Sequence, residues 1–215
     1  TRLKNKLFKK IFDKNLLQIS INNSKTMRYV DEVIIATTNK ISDDKICNIA
    51  KKNKIKFFRG SENNVLERLY LSILQKEADY VVRYCCDNYL NQNNFVEDNI
   101  RRAVNYNLDV ITPGELALTT RGTSQVVLSK SAINEIYRKS KHKVYKEHIE
   151  NYCFENWRKF KIDYQIIKKD FFYENLNFSV DNQEDIDFIK KNKIINLLDI
   201  KKLIALNNVK KPINI

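Results

Sequence analysis

Four short runs rich in β-branched and aromatic residues punctuate the first half of the chain: DEVIIAT (31–37), IKFFRG (55–60), DYVVRY (79–84) and LDVIT (108–112). Between them lie three stretches, 42–53, 61–77 and 93–107, whose apolar residues recur at helical spacing. Strands joined through helices run parallel, because a crossover of that length is what a parallel pair needs. The alternation therefore predicts an α/β fold. Its centre is a mostly parallel sheet with helices on both faces, a three-layer sandwich. Ser42 is the expected N-cap of the first helix, with Asp43 and Asp44 in its opening turn, and Ser61 that of the second. The second half is less regular. Strands are expected at 124–129 and 175–181, and helices at 130–140, 145–156, 182–192 and 198–207. No repeat and no Pro/Gly-rich linker interrupts the 215 residues, so a single domain over 1–215 is expected.

Charge and cysteine content narrow the function classes. The formal net charge is +13, but the basic residues are spread along the whole chain and no aromatic-basic nucleic-acid motif appears. The charge reads as a lysine-rich solvated surface that also attracts nucleotide polyphosphates and acidic sugars, not as a nucleic-acid face. Cys47, Cys85, Cys86 and Cys153 include no C-x-x-C pair, which argues for a reduced cytoplasmic setting and against structural zinc. No apolar run approaches membrane-spanning length, so no membrane partner is expected.

Open α/β sheets bind ligands beyond the carboxyl ends of their strands. Asp87 follows the strand ending at Tyr84, and Asp181 follows NFSV. Two hard oxygen ligands beside a phosphate site suit Mg²⁺, although Asp181 alone also reads as a helix N-cap. Thr37, Thr38 and the Arg59–Ser61 segment occupy corresponding strand ends. In TRLKNK, Arg2 and Lys6 are four positions apart in a loop and could grip a triphosphate, with a solvated basic loop as the alternative. Neither a Walker A sequence nor G-x-G-x-x-G is present among only three glycines, which excludes those nucleotide classes. The two histidines, His142 and His148, lack metal-ligand spacing, and Glu147-His148 either lines the cleft or is a half-buried polar pair.

Taken in order, these motifs resemble a known family. VDEVIIATTNKISDDKICNIAKKNKIKFFRGSENNVLERLY (30–70) resembles the cytidylyltransferases that make CMP-activated acidic sugars, nearest to the spore-coat polysaccharide type and related to the acylneuraminate and 3-deoxy-manno-octulosonate enzymes. TRLKNK is similar to that family's S-T-R-L-P-G-K phosphate loop, RYCCDNYL to R-x-T-G-D-x-P-L, YKEHIENY to R-E-H-V-T-P-Y, and FSVDNQED to T-V-D-x-x-E-D. The resemblance implies a Rossmann-like (GT-A-like) nucleotidyltransferase fold. It implies Mg²⁺-dependent transfer of CMP from CTP to an acidic, ulosonic-acid-type sugar for surface polysaccharide or glycan synthesis, with release of pyrophosphate. By the same carry-over, Arg2 and Lys6 bind the triphosphate, and Ala36, Thr37, Thr38, Arg59, Ser61 and Arg68 form the nucleotide pocket. Gln125, Glu147 and His148 face the acceptor, and Asp87 and Asp181 hold the metal. A homodimer is implied, with residues 115–165 as the dimerisation and acceptor-side segment.

Departures from the family pattern fall mostly on the acceptor side. Lys4-Asn5 replaces Pro-Gly in the phosphate loop, Cys86 replaces the glycine before Asp87, and Tyr89 replaces a proline. Ser124 and Val126 stand where carboxylates are expected, and Asn177 where an arginine is common. They leave open an unusual acceptor, or a catalytically weakened nucleotide-binding or regulatory homologue. The family also begins with a central strand before the phosphate loop, so roughly a dozen further residues upstream of Thr1 are expected, by strand length.

Overall fold

The computed structural model describes residues 3, 5–113, 120–123, 125–140, 142–165 and 176–205. A tight antiparallel hairpin, β1 (Lys10–Ile11) and β2 (Lys14–Asn15), leads into α1 (Leu16–Lys25). Asn15 and Gln18 form a reciprocal capping box at the start of that helix, satisfying two otherwise unpaired donors. The expected alternation follows: β3 (Ile34–Thr38), α2 (Asp44–Lys52), β4 (Lys56–Gly60), α3 (Val65–Ile73), β5 (Tyr80–Arg83), α4 (Asn93–Tyr106) and β6 (Val110–Thr112). Next come β7 (Val126–Ser129), α5 (Lys130–Lys139), α6 (Ile149–Glu155), β8 (Ile162–Tyr164), α7 (Gln183–Lys191) and α8 (Leu197–Ala205).

β3 and β4 pair in parallel, Ile34 opposite Lys56 and Thr38 opposite Gly60. A second sheet has the order β5-β7-β6-β8. β7 is inserted antiparallel to both β5 and β6, while β8 lies parallel to β6, so the sheet is mixed around its third strand in sequence. Side-chain alternation builds three layers. Val110, Val126 and Leu128 point to one face, against Ile133 and Ile136 of α5 and Ile149 and Cys153 of α6. Their neighbours Ile111 and Val127 point to the other, against Val96, Ile100 and Ala103 of α4. All four β7 residues are buried, as a strand covered on both faces requires. Leu17 and Ile21 of α1 pack with Ile46 of α2 and Ile55, and α7 seals a further cluster around Phe178 and Val180.

Several boundaries move from the sequence expectation. Ser42 does not cap the first helix: Ile41–Asp43 form a 3-10 turn and α2 starts at Asp44. Ser61 does not cap the second, because α3 starts at Val65 and Asn64 accepts from the Glu67 amide. The 145–156 helix divides into a 3-10 turn, Lys143–Lys146, and α6. The 175–181 strand contracts to isolated bridges, Arg121 with Asn177 and Asn88 with Ser179. α1, the β1–β2 hairpin and β8 have no counterpart in the expected series. Among the described residues, no helix is long and apolar enough to cross a membrane. All four cysteines are free thiols, as their spacing implied.

Candidate active site

Asp87 and Asp181 meet because the main chain around each is stitched to the other. The Val180 amide donates to the Asp87 carbonyl at 2.9 Å and the Tyr89 amide to the Phe178 carbonyl at 3.0 Å. On the far side of Phe178, its amide donates to the Arg121 carbonyl at 2.8 Å, and the Leu90 amide donates to the Gly122 carbonyl at 3.1 Å. Gly122 is required there. Its φ is +83°, and a Cβ would lie 2.1 Å from the Phe178 carbonyl carbon. The Asp185 carboxylate accepts from the amides of Asp181 (2.8 Å) and Asn182 (3.0 Å), fixing the turn into α7. The N-cap of α7 is Asn182, not Asp181, so the Asp181 carboxylate is free of that task.

The N-terminal loop closes over this pair. The Leu3 amide donates to the Asp181 carbonyl at 2.9 Å. Asn5 takes the left-handed conformation (φ 57°, ψ 33°) that a glycine would adopt more easily, and a 3-10 turn begins at Lys6. The Lys6 Nζ then lies 2.8 Å from Asp87 Oδ2 and 3.1 Å from Asp181 Oδ1. Burial alone would lower the Lys6 pKa, but the hydrogen bonds and charges of Asp87 and Asp181 outweigh it and hold it above the ordinary lysine value. Two carboxylates so aimed at one cation fit a Mg²⁺ ion. Among the described residues no group of three or more His, Cys, Asp or Glu side chains is placed to hold a metal ion.

The Thr37–Thr38 end is built around a residue that sequence reasoning placed only as a helix-start acid. Asp43 Oδ2 accepts from Thr37 Oγ1 (2.7 Å), Thr38 Oγ1 (2.6 Å) and the Thr38 amide (3.1 Å). Burial pushes the Asp43 pKa up, yet the hydrogen bonds from Thr38 and Thr37 prevail and hold it below the usual carboxylate range. Arg59 locks the same turn. Its Nε donates to the Thr38 carbonyl at 3.0 Å, Nη2 to the Lys40 carbonyl at 2.6 Å, and Nη1 to Asp44 at 2.6 Å. Ala36 is exposed beside buried Thr37. Gly60 leaves room for Arg68: a Cβ there would be 3.1 Å from the Arg68 Cγ. Arg68 Nη1 donates to the Ser61 carbonyl, which holds 61–64 as a loop and explains why α3 starts late. No carboxylate pairs with Arg68 among the described residues, and burial, then the nearby Arg83 charge, lowers its pKa against the pull of Asp43 and Glu62.

Arg83 connects this end to the third group. Its guanidinium donates to Glu150 at 3.2 Å and to the Glu147 carbonyl at 3.0 Å. Glu147 and His148 are exposed. Gln125 needs correction as an acceptor contact. It is only 2% exposed, with Oε1 accepting from the Cys85 amide at 2.8 Å and Nε2 donating to Asn91, so both ends of its amide are engaged internally. Val126 is buried in β7, and Asn177 Oδ1 accepts from the Ser179 amide at 2.8 Å. Arg2 and Ser124 lie outside the described residues. Burial pushes the Cys85 thiol pKa up, with smaller contributions from the charges of Arg83, Asp87, Glu150 and Lys6.

Residues 1–209 match the sequence model of a family described as cytidylyltransferase. The chain belongs to this family. It is thus a nucleotidyltransferase built for CTP-using nucleotidyl transfer. The chain is 28% identical over 207 residues to an uncharacterized protein of Methanocaldococcus jannaschii, covering 94% of this chain and 84% of that one. Its fold is similar to that of a cytidylyltransferase from Leptospira borgpetersenii (TM-score 0.85, 24% identity, 96% of this chain and 90% of that one). It is also similar to CMP:2-keto-3-deoxy-manno-octonic acid synthetase solved with CTP (TM-score 0.66, 12% identity, 96% and 94% covered). A third similar fold is 4-diphosphocytidyl-2C-methyl-D-erythritol synthase from Anaerococcus prevotii (TM-score 0.56, 13% identity, 85% and 87% covered). These likenesses bear out the α/β fold expected from the strand-helix alternation and the nucleotidyltransferase fold that the family resemblance implied.

Proposed function

We propose that this cytidylyltransferase transfers CMP from CTP to an acidic sugar of the ulosonic-acid type, in surface polysaccharide or glycan synthesis, with Mg²⁺ held by Asp87 and Asp181. The observation that carries the reading is the convergence of those two carboxylates, distant in sequence, on a single cationic atom (2.8 and 3.1 Å). In the reaction a sugar hydroxyl attacks the α-phosphorus of CTP, its proton leaves, and the bond to pyrophosphate breaks. Mg²⁺ between the aspartates supplies neutralisation of phosphate charge. Lys6 and Arg2 bind the polyphosphate, and cations serve such a transfer because it depends on positioning and charge more than on covalent chemistry. Thr37 and Thr38, oriented by Asp43, form the wall beside the cytidine with Ala36, Arg59 and Ser61. Arg68, a guanidinium lacking a carboxylate partner among the described residues, favours an anionic ligand there. Glu147 and His148 face the acceptor. The protein acts as a homodimer in the cytoplasm, with 115–165 at the subunit contact.

The test is pyrophosphate release from CTP across a panel of ulosonic acids, in wild type and Asp87→Asn. Release that needs one sugar and is lost in the variant supports the reading, and undiminished release in the variant overturns the metal assignment. A second reading is a homologue that binds nucleotide with weakened turnover. It is favoured by the internal engagement of Gln125 and the burial of Val126, which leave no free polar group at either position. It predicts calorimetric CTP binding with no sugar-dependent release.

A further inference from the structure

Lys6 has two claims on one ammonium. Polyphosphate binding would need it on the nucleotide, yet in the structure it sits between Asp87 and Asp181 at 2.8 and 3.1 Å. Among the described residues those carboxylates have no other cationic partner. A Mg²⁺ or Mn²⁺ ion held by both aspartates would need the same oxygens, and so the space, that the ammonium fills. A divalent ion and an ammonium cannot share that space, because both their volumes and their charges conflict. Lysine suits a movable role: its charge is a point on a flexible four-carbon stem, without the fixed fork that holds an arginine to one partner.

We propose that Lys6 is an exchange cation. In the free protein it holds the two aspartates together as an internal counter-ion. On binding of the metal-nucleotide complex it leaves them for the polyphosphate, so the metal binds well only when phosphate is present to receive the lysine. The proposal rests on the reading of Asp87 and Asp181 as metal ligands and adds the order of binding to it. Without the ammonium, two like charges would face one another unshielded; with it, the free protein presents a site already closed to loose divalent ions. Linkage makes the effect mutual: whatever factor the polyphosphate adds to metal affinity, the metal adds to polyphosphate affinity.

The experiment is Mn²⁺ binding to the full chain, read by electron paramagnetic resonance without nucleotide and with CTP, in wild type, Lys6→Met and Lys6→Met/Asp87→Asn. Expected is at least a tenfold tighter uptake of Mn²⁺ alone by Lys6→Met than by wild type, abolished in the double variant. Wild type is tested directly by acetic anhydride labelling and peptide mass spectrometry. Lys6 should label several-fold more slowly than exposed Lys9 and Lys10 in the metal-free protein, faster with saturating Mn²⁺, and slowly again once CTP is added. Unchanged Mn²⁺ affinity in Lys6→Met overturns the exchange. So does Mn²⁺-independent labelling of Lys6, which decides the matter even if the variant does not fold. If Asp87→Asn alone still lowers Mn²⁺ uptake in the presence of CTP, the metal reading survives that failure. If no form takes up Mn²⁺ even with CTP, the metal reading itself has failed.

Discussion

Around Asp43 one carboxylate oxygen gathers three donors and Arg59 adds three more contacts, so Thr37 and Thr38 are fixed before any ligand arrives. Between Asp87 and Asp181 a single flexible side chain holds two like charges together. The main chain is hydrogen-bonded in both places. What differs is whether the polar groups already have permanent partners. At the first end the Asp43 bonds reach across five or six residues of one turn and the Arg59 bonds come from the neighbouring strand β4, and both sets are of a kind retained when a ligand binds beside them. At the second the ion pairs join residues 81 and 175 positions apart and are of a kind that ligand binding replaces. A cleft assembled this way is preorganised where shape is read and exchangeable where charge is neutralised.

Four measurements press on that contrast. The largest effect should come from Asp87→Asn, with CTP-dependent pyrophosphate release falling about 10²–10³-fold, the usual scale for removing one charge-stabilising group. Its melting temperature should change little, since Lys6 keeps its pair with Asp181 and the desolvation of the lost charge is relieved. Gly122→Ala should act through structure instead. Strain at positive φ together with contact against Phe178 should cost about 3 kcal/mol or more in urea unfolding and reduce turnover in step with folded fraction.

Asp43→Ala comes next. Loss of a charged acceptor for three donors should cost roughly 2 kcal/mol of stability and weaken CTP binding about tenfold by calorimetry, with kcat affected less. If CTP affinity is untouched, the Thr37–Thr38 turn does not adjoin the nucleotide. The acid limb sharpens this further. A carboxylate whose pKa is depressed on folding contributes stability above its unfolded value, and that stability is lost as pH falls through the folded value. Wild type should therefore lose stability below about pH 4 more steeply than Asp43→Asn. Smallest is Lys40→Ala, which breaks an exposed pair with Glu62 and should shift stability by less than ~0.5 kcal/mol.

The layered fold was legible because its strands and helices differ in apolar period, a signal carried by each segment alone. Asp87 was legible as a strand-end carboxylate for the same reason, whereas the strand expected before Asp181 is only a pair of isolated bridges. The antiparallel insertion of β7 was not, since pairing direction depends on which strands become neighbours, not on the run VVLS itself. Asp43 appeared only as a helix-start acid. Its partners, two hydroxyls five and six residues earlier, become visible once the 3-10 turn folds them together. A signal was present in TTNKISDD, where two threonines precede two aspartates within reach of a single turn. Gln125 misled because an amide in a motif looks the same whether it faces ligand or core. Asn64 displaced Ser61 as a cap because Arg68, a full helical turn later, claimed the Ser61 carbonyl.

The ladder joining residues 87–90 to 178–180 and to Gly122 is made of amides and carbonyls. Side-chain identity beside Asp87 is therefore nearly invisible to the distance between the two acids. A half-buried thiol at Cys86 and a phenol at Tyr89, anchored to the Ile194 carbonyl at 2.9 Å, can therefore stand beside the acid without altering that distance. Substitution is thereby tolerated right up to the paired acids: the letters beside them can turn over while the gauge between them stays constant.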